Sequence, residues 1–127
     1  MSPTAEQPSP ARPGGVSYLH IPTGDPRLSA SFYEEVFGWS IRDPDAHNPA
    51  FSDGSGHVIG HFVSDQSVAG DSGVRPYIYV DDVRATVEQI AANGGEVLEQ
   101  PFAEGSLTVS LFTDPAGNVL GVWQFGS

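Results

Sequence analysis

Residues 16–38 read VSYLHIPTGDPRLSASFYEEVFG. Val16 to Ile21 has the alternating, β-branched and aromatic character of a strand. Asp25 then offers a side-chain oxygen to free helical N–H groups, and Pro26 suits the first helical position. Leu28, Phe32 and Val36 recur every four residues and predict the apolar stripe of a helix, which Gly38 stops in a left-handed turn. Residues 75–95, RPYIYVDDVRATVEQIAANGG, repeat this order. Arg75 to Val80 is the strand, Asp82 the cap, and Val83, Val87, Ile90 and Ala91 the stripe; Asn93-Gly94-Gly95 is the stop. Asp25 and Asp82 are 57 residues apart, as are Gly38 and Gly95.

Outward from these two units, short strand-like pieces follow each helix. They are 39–42, 50–52 and 57–63 in the first half, and 96–100, 107–113 and 118–125 in the second. The last pieces share a pattern, HVIGHF at 57–62 and NVLGVW at 118–123. Alignment on Gly60 and Gly121 gives a step of 61, which predicts four extra residues in a hairpin of the second half. The expected architecture is α+β: two pseudo-symmetric βαβββ modules whose mixed sheet curls around a cavity. Module one spans 16–65, a linker 66–73 and module two 74–126, within a single domain 16–127. Two copies make a pair, not a solenoid. Residues 1–15, MSPTAEQPSPARPGG, carry no apolar period and are expected to be a flexible tail.

The chain has 127 residues, the size of one domain. Sixteen acidic residues face five arginines and no lysine, for a net charge of −11. That balance argues against a duplex nucleic acid or an anionic membrane, both of which need basic contacts. Without cysteine there is no disulfide frame, thiolate metal site or thiol nucleophile. The N-terminus lacks a basic-then-apolar signal pattern, and no apolar run is long enough for a bilayer. A soluble cytoplasmic protein is expected.

Successive strand residues point to opposite faces. By parity, Leu19, Ile21, Ile78, Val80, Ile59, His61, Val63, Leu120 and Val122 face the helices. Tyr18, His20, Gly60, Phe62, Arg75, Tyr77, Tyr79, Gly121 and Trp123 face inward. That inner set has flat apolar walls, a few polar groups and room beside two glycines, which suits a small-molecule cavity. The same residues could instead fill a second core or a subunit interface. Arg75 could grip an anionic or planar group by its guanidinium fork, or pair with one of the many acids. No P-loop, G-x-S-x-G elbow or dinucleotide fingerprint is present.

The set HIPTGDP at 20–26, FYEEVFGW at 32–39, YVDD at 79–82, NGG at 93–95 and DPAGN at 114–118 resembles the glyoxalase / bleomycin-resistance / extradiol-dioxygenase superfamily, the vicinal oxygen chelate fold. The resemblance covers about residues 16–126. It implies paired βαβββ modules around a shared cavity, often within a homodimer. It also implies four inward metal-ligand positions, which fall here on Tyr18, Gly60, Arg75 and Gly121. None of these is a good ligand for a divalent ion, so neither metal nor other cofactor is expected. His20 shares the inner face with Tyr18 and is left open as a ligand contact, a general base or a metal ligand. The leading expectation is a bleomycin-resistance-like protein that holds a small planar or aromatic molecule with an acceptor or anionic edge. The alternatives are a lyase, isomerase or dioxygenase using other metal ligands or His20 as base, and a non-catalytic interaction module.

Overall fold

The computed structural model describes residues 7–70 and 72–127. Residues 1–6 of the expected tail and Asp71 of the expected linker lie outside the described residues. The elements run β1 (Tyr18–Pro22), α1 (Pro26–Phe37), β2 (Ser40–Arg42), β3 (Ala50–Ser52), β4 (Ile59–Val63), β5 (Tyr77–Tyr79), α2 (Val83–Ala92), β6 (Glu96–Glu104), β7 (Leu107–Thr113) and β8 (Val119–Phe125). They form two four-stranded mixed sheets, ordered β1-β4-β3-β2 and β5-β8-β7-β6. In each, the first strand lies parallel to the last and the other pairings are antiparallel. This is the expected duplication, βαβββ twice.

Both helices begin as their sequences dictate. Asp25 accepts from the Leu28 N–H at 3.1 Å, and Asp82 from the Ala85 N–H at 3.1 Å. Gly38 closes α1 with φ 71°, a conformation that L side chains rarely adopt. Beyond α2, Gly94 takes φ 95° and the Gly95 N–H returns to the Ile90 carbonyl at 2.9 Å. The stripe on α1 differs from expectation. Leu28 is 47% exposed, whereas Ser29, Ala30, Phe32 and Tyr33 are buried. The helix is rotated so that Tyr33, whose hydroxyl finds a buried partner, leads into the core. On α2, Val83, Val87 and Ile90 are buried as expected, while Ala91 is exposed.

The core lies between the helices and one face of each sheet. Its centre is aromatic. Tyr33 stacks on Trp39 at 4.5 Å between ring centroids, Trp39 on Phe51 at 4.9 Å, and Phe51 lies 5.0 Å from Phe62. Phe112, Leu120 and Val122 supply the second sheet's share. Offset and tilted ring contacts of this kind add about 0.5–1.5 kcal/mol each beyond area burial.

The modules are joined through the turn between β7 and β8. The Tyr33 hydroxyl donates to Asp114 Oδ2 at 2.8 Å, fully buried. Asn118 Nδ2 donates to the same oxygen at 2.9 Å and to the Pro22 carbonyl of β1 at 2.8 Å. Asp114 Oδ1 accepts the Ala116 and Asn118 N–H groups. One carboxylate thus shapes its own turn and fastens it to α1 and β1. Burial, then the neighbouring Asp114 charge, push the Tyr33 phenol well above its usual range. It stays neutral and donates.

Register overturns one expectation. In β1 and β4 the in-register pairs are Tyr18–Ile59, Leu19–Gly60, His20–His61 and Ile21–Phe62. In-register neighbours share a face, so Gly60 and Phe62 lie with Leu19 and Ile21 on the helix side, and His61 lies with Tyr18 and His20 on the inner side. The second sheet pairs Tyr77 with Gly121 and Tyr79 with Trp123. His20 and Tyr77 hold matching places before their caps, so the counterpart of Gly121 is His61, not Gly60. The cause is in the turns. The Asp53 N–H reaches the Val58 carbonyl at 2.8 Å, whereas the Asp114 N–H reaches Asn118 at 2.9 Å. The first turn holds one more residue, and a one-residue slip exchanges the faces of a strand.

Candidate functional site

A cavity of about 510 Å³ lies between β1 and β5, the unpaired edges of the two sheets. That is the size of an ordinary small-molecule site. Leu19, His20, Ile21 and Pro22 wall it from β1, and Tyr77 and Ile78 from β5. Tyr33 and Trp39 reach it from the core, and Val119 and Leu120 from β8. Ala69, Gly70, Ser72 and Gly73 of the linker, and Val74 just after it, also line it. The lining is mainly aliphatic and aromatic, with His20, Asp53, Ser72, Asn118 and the tyrosines Tyr33 and Tyr77 as its polar members.

The expected site residues divide into three groups. His20 and Tyr77 line this cavity. Tyr18 shares their face beside it, as do Tyr79, Gly121 and Trp123; Arg75, two residues before Tyr77, is partly buried. Gly60 and Phe62, expected inward, sit on the helix side, and Phe62 is fully buried in the core. Neither glycine leaves the room expected of it. A Cβ on Gly121 would run into the Tyr77 ring, which lies over it from the next strand. A Cβ on Gly60 would run into the Leu19 carbonyl and the Phe51 ring.

On the inner face of the first sheet, three rings cluster. The Tyr18 hydroxyl is 2.5 Å from His61 Nδ1. The His20 ring meets Tyr18 edge-on at 5.3 Å, and its Nδ1 lies 3.0 Å from the Gln66 amide nitrogen. Parity alone assigned His61 to the helices and hid this cluster. On the inner face of the second sheet, Tyr79, Trp123 and Phe125 pack together, with Trp123 5.0 Å from each of the other two. Tyr18, Tyr77 and Tyr79 are each about half exposed. One inner face therefore carries two imidazoles and a phenol, the other a run of aromatic rings.

The divalent metal implied by the resemblance does not fit these residues. With register corrected, its four positions are Tyr18, His61, Arg75 and Gly121. Only His61 is a competent ligand, and its Nδ1 is engaged by Tyr18. Arg75 is a cation without a lone pair to give. The place of a fourth ligand above Gly121 is filled by the Tyr77 ring. Among the described residues, no group of three or more His, Asp or Glu side chains is arranged to hold a metal ion. No helix there is long and apolar enough to cross a membrane.

Residues 18–123 match the model of the glyoxalase-like domain. The chain is 30% identical over 126 residues to a Mycobacterium bovis protein provisionally named glyoxylase CFP32, covering 89% of this chain and 46% of that one. It thus spans about half the length of that relative. A glyoxylase-like domain-containing protein of Didymella fabae is 32% identical over 114 residues, covering 83% and 89% of the two chains. Among solved structures, TnmS3, an antibiotic binding protein from Streptomyces sp. CB03234, superposes with a TM-score of 0.69 at 22% identity, over 89% of this chain and 97% of that one.

Proposed function

The chain belongs to the glyoxalase-like domain family, and from that premise we propose that it binds a small planar or aromatic molecule between its modules, without a metal. The carrying observation is the cavity between β1 and β5, of ligand size, with tyrosine and tryptophan in its walls. The fit test on the four family positions supports a site that works by shape, stacking and hydrogen bonds. TnmS3, with the same fold, is an antibiotic binding protein; binding in this chain follows that pattern of use. The exposed ring of Tyr77 supplies stacking, the edge of Trp39 an apolar contact, and His20 a polar contact. Tyr18, Arg75, Tyr79 and Trp123 extend the site along the inner face.

Trp39 lines the cavity and Trp123 stands on the inner face, so intrinsic fluorescence reports occupancy. Titration with a panel of planar aromatic acids, quinones and polyketide antibiotics is expected to give saturable quenching by at least one member. A Trp39→Phe variant should lose most of that signal while remaining folded by circular dichroism. Saturable binding of none of the panel would set the proposal aside. The exposed end of the inner face at Phe125 supports pairing of two copies, for which sedimentation should give twice the monomer mass.

A further inference from the structure

Tyr33 and Trp39 are the two buried side chains of the cavity wall that carry a polar atom. Tyr33 has committed its hydroxyl proton to Asp114. Trp39 is 7% exposed, and its indole Nε1–H has no acceptor among the described residues. That nitrogen is not sealed in, since the one fully enclosed side-chain polar atom without a partner there is Asn48 Oδ1. The rings of Tyr33 and Phe51 stack on Trp39 at interplanar angles of 22° and 26°. The faces of the indole are therefore covered, and what meets the cavity is its edge, where Nε1 lies. An indole N–H only donates. A donor held in a buried side chain without a partner is costly, and a ligand oxygen that accepts from it removes the cost.

Charge narrows which oxygen that is. Among the described residues that line the cavity there is no lysine or arginine, and Asp53 contributes a carboxylate. Arg75 stands outside the lining. An ionised acid drawn in here would lose its water beside another acid, with no cation to pair it. A neutral carbonyl oxygen accepts the same hydrogen bond without that loss.

We infer that Trp39 is the specificity-determining residue of the cavity: its Nε1–H binds a neutral carbonyl oxygen of the planar molecule, so that an aryl ketone or quinone is taken in preference to an aryl carboxylate. The inference rests on the proposed small-molecule site and names what that site selects. Because Tyr33 and Phe51 hold the indole plane, the donor is oriented before the ligand arrives, and little ordering is left for binding to supply.

The experiment uses three probes of equal ring size at pH 8. These are 2-acetylnaphthalene, 2-isopropenylnaphthalene, which has a methylene in place of the carbonyl oxygen, and 2-naphthoate. In 1H–15N spectra of the full chain, the Trp39 indole signal, assigned by its loss in Trp39→Phe, should move downfield with the ketone and not with the alkene. An unmoved signal at saturation with the ketone overturns the inference. Affinities are then compared between the natural chain and one in which Trp39 is replaced by benzothienylalanine, where sulfur stands in place of the N–H. The ketone-to-alkene affinity ratio is expected to fall about fivefold to tenfold in the replaced chain, the range of one net hydrogen bond.

An unchanged ratio overturns the inference and leaves the proposed cavity standing. Naphthoate should bind the natural chain at least about tenfold more weakly than the ketone; equal or tighter binding overturns the choice of a neutral oxygen. If the replaced chain does not fold, the indole signal of the natural chain decides alone. Failure of all three probes together with the wider aromatic panel removes both readings.

Discussion

The two glycines that open the last strands look alike in sequence and differ in what surrounds them. Above Gly121 stands the ring of Tyr77, which is half exposed and can swing toward solvent. Around Gly60 stand a backbone carbonyl and the buried ring of Phe51, neither of which can withdraw cheaply. Overpacking of a tight site costs about 1–3 kcal/mol, and more where backbone must move. Gly121→Ala is therefore expected to lower stability by about 1 kcal/mol, and Gly60→Ala by about 3 kcal/mol or more. Thermal unfolding of the two variants should separate them clearly; equal losses would contradict the placement of the rings.

At this same scale the sequence was only partly informative. Tyr18, His20, Tyr77, Tyr79 and Trp123 were placed on the inner face by strand alternation, and the register agrees. Ile59, Gly60, His61, Phe62 and Val63 were misplaced together, since the whole strand is offset by one residue. Nothing in the letters marks the extra residue in the turn after Asp53, because both turns begin with aspartate and both strands carry glycine at the same distance. Only the hydrogen bond from Asp53 to Val58, against that from Asp114 to Asn118, shows where the frames diverge. Tyr33 was missed for another reason: a helical tyrosine beside the apolar stripe carries no sign that a carboxylate 81 residues away will satisfy it.

Among elements, the contact that matters most is between α1 and the β7–β8 turn. Caps, stops and strand order were legible because each is a local preference. The docking of that turn was not, because it depends on a carboxylate with three kinds of partner. Its pH behaviour follows from Tyr33. The folded-state pKa is raised above the unfolded value, chiefly by burial. As pH climbs past the ordinary tyrosine value of about 10, the unfolded chain loses this proton first and is favoured. The stability is fully present below that pH and is lost as pH rises toward the higher folded value. Tyr33→Phe should be less stable than wild type at pH 8 by about 1.5–3 kcal/mol, the usual worth of a hydrogen bond to a charged acceptor. It should also show a shallower decline between pH 9 and 11 in denaturant titrations. A decline as steep as that of wild type would mean another group governs it.

For the molecule as a whole, the arrangement separates a dry core from an open site. Aromatics on the helix side interlock, while those on the inner side remain half exposed. Duplication explains why both sheets present equivalent positions to one cavity. Divergence explains why one sheet now offers imidazoles and the other a run of rings. The acidic surface, with a net charge of −11, keeps such an exposed aromatic face from non-specific association between copies.

The clasp at Pro22 and Tyr33 has a consequence for chain continuity. One hydrogen bond of Asn118, to the Pro22 carbonyl, and one of Tyr33, to Asp114, hold the halves together from positions far from the segment that links them in sequence. A backbone cut within residues 66–73 should thus leave two fragments that co-purify and melt as one. When the fragments carry Asn118→Ala and Tyr33→Phe, they should part on a sizing column.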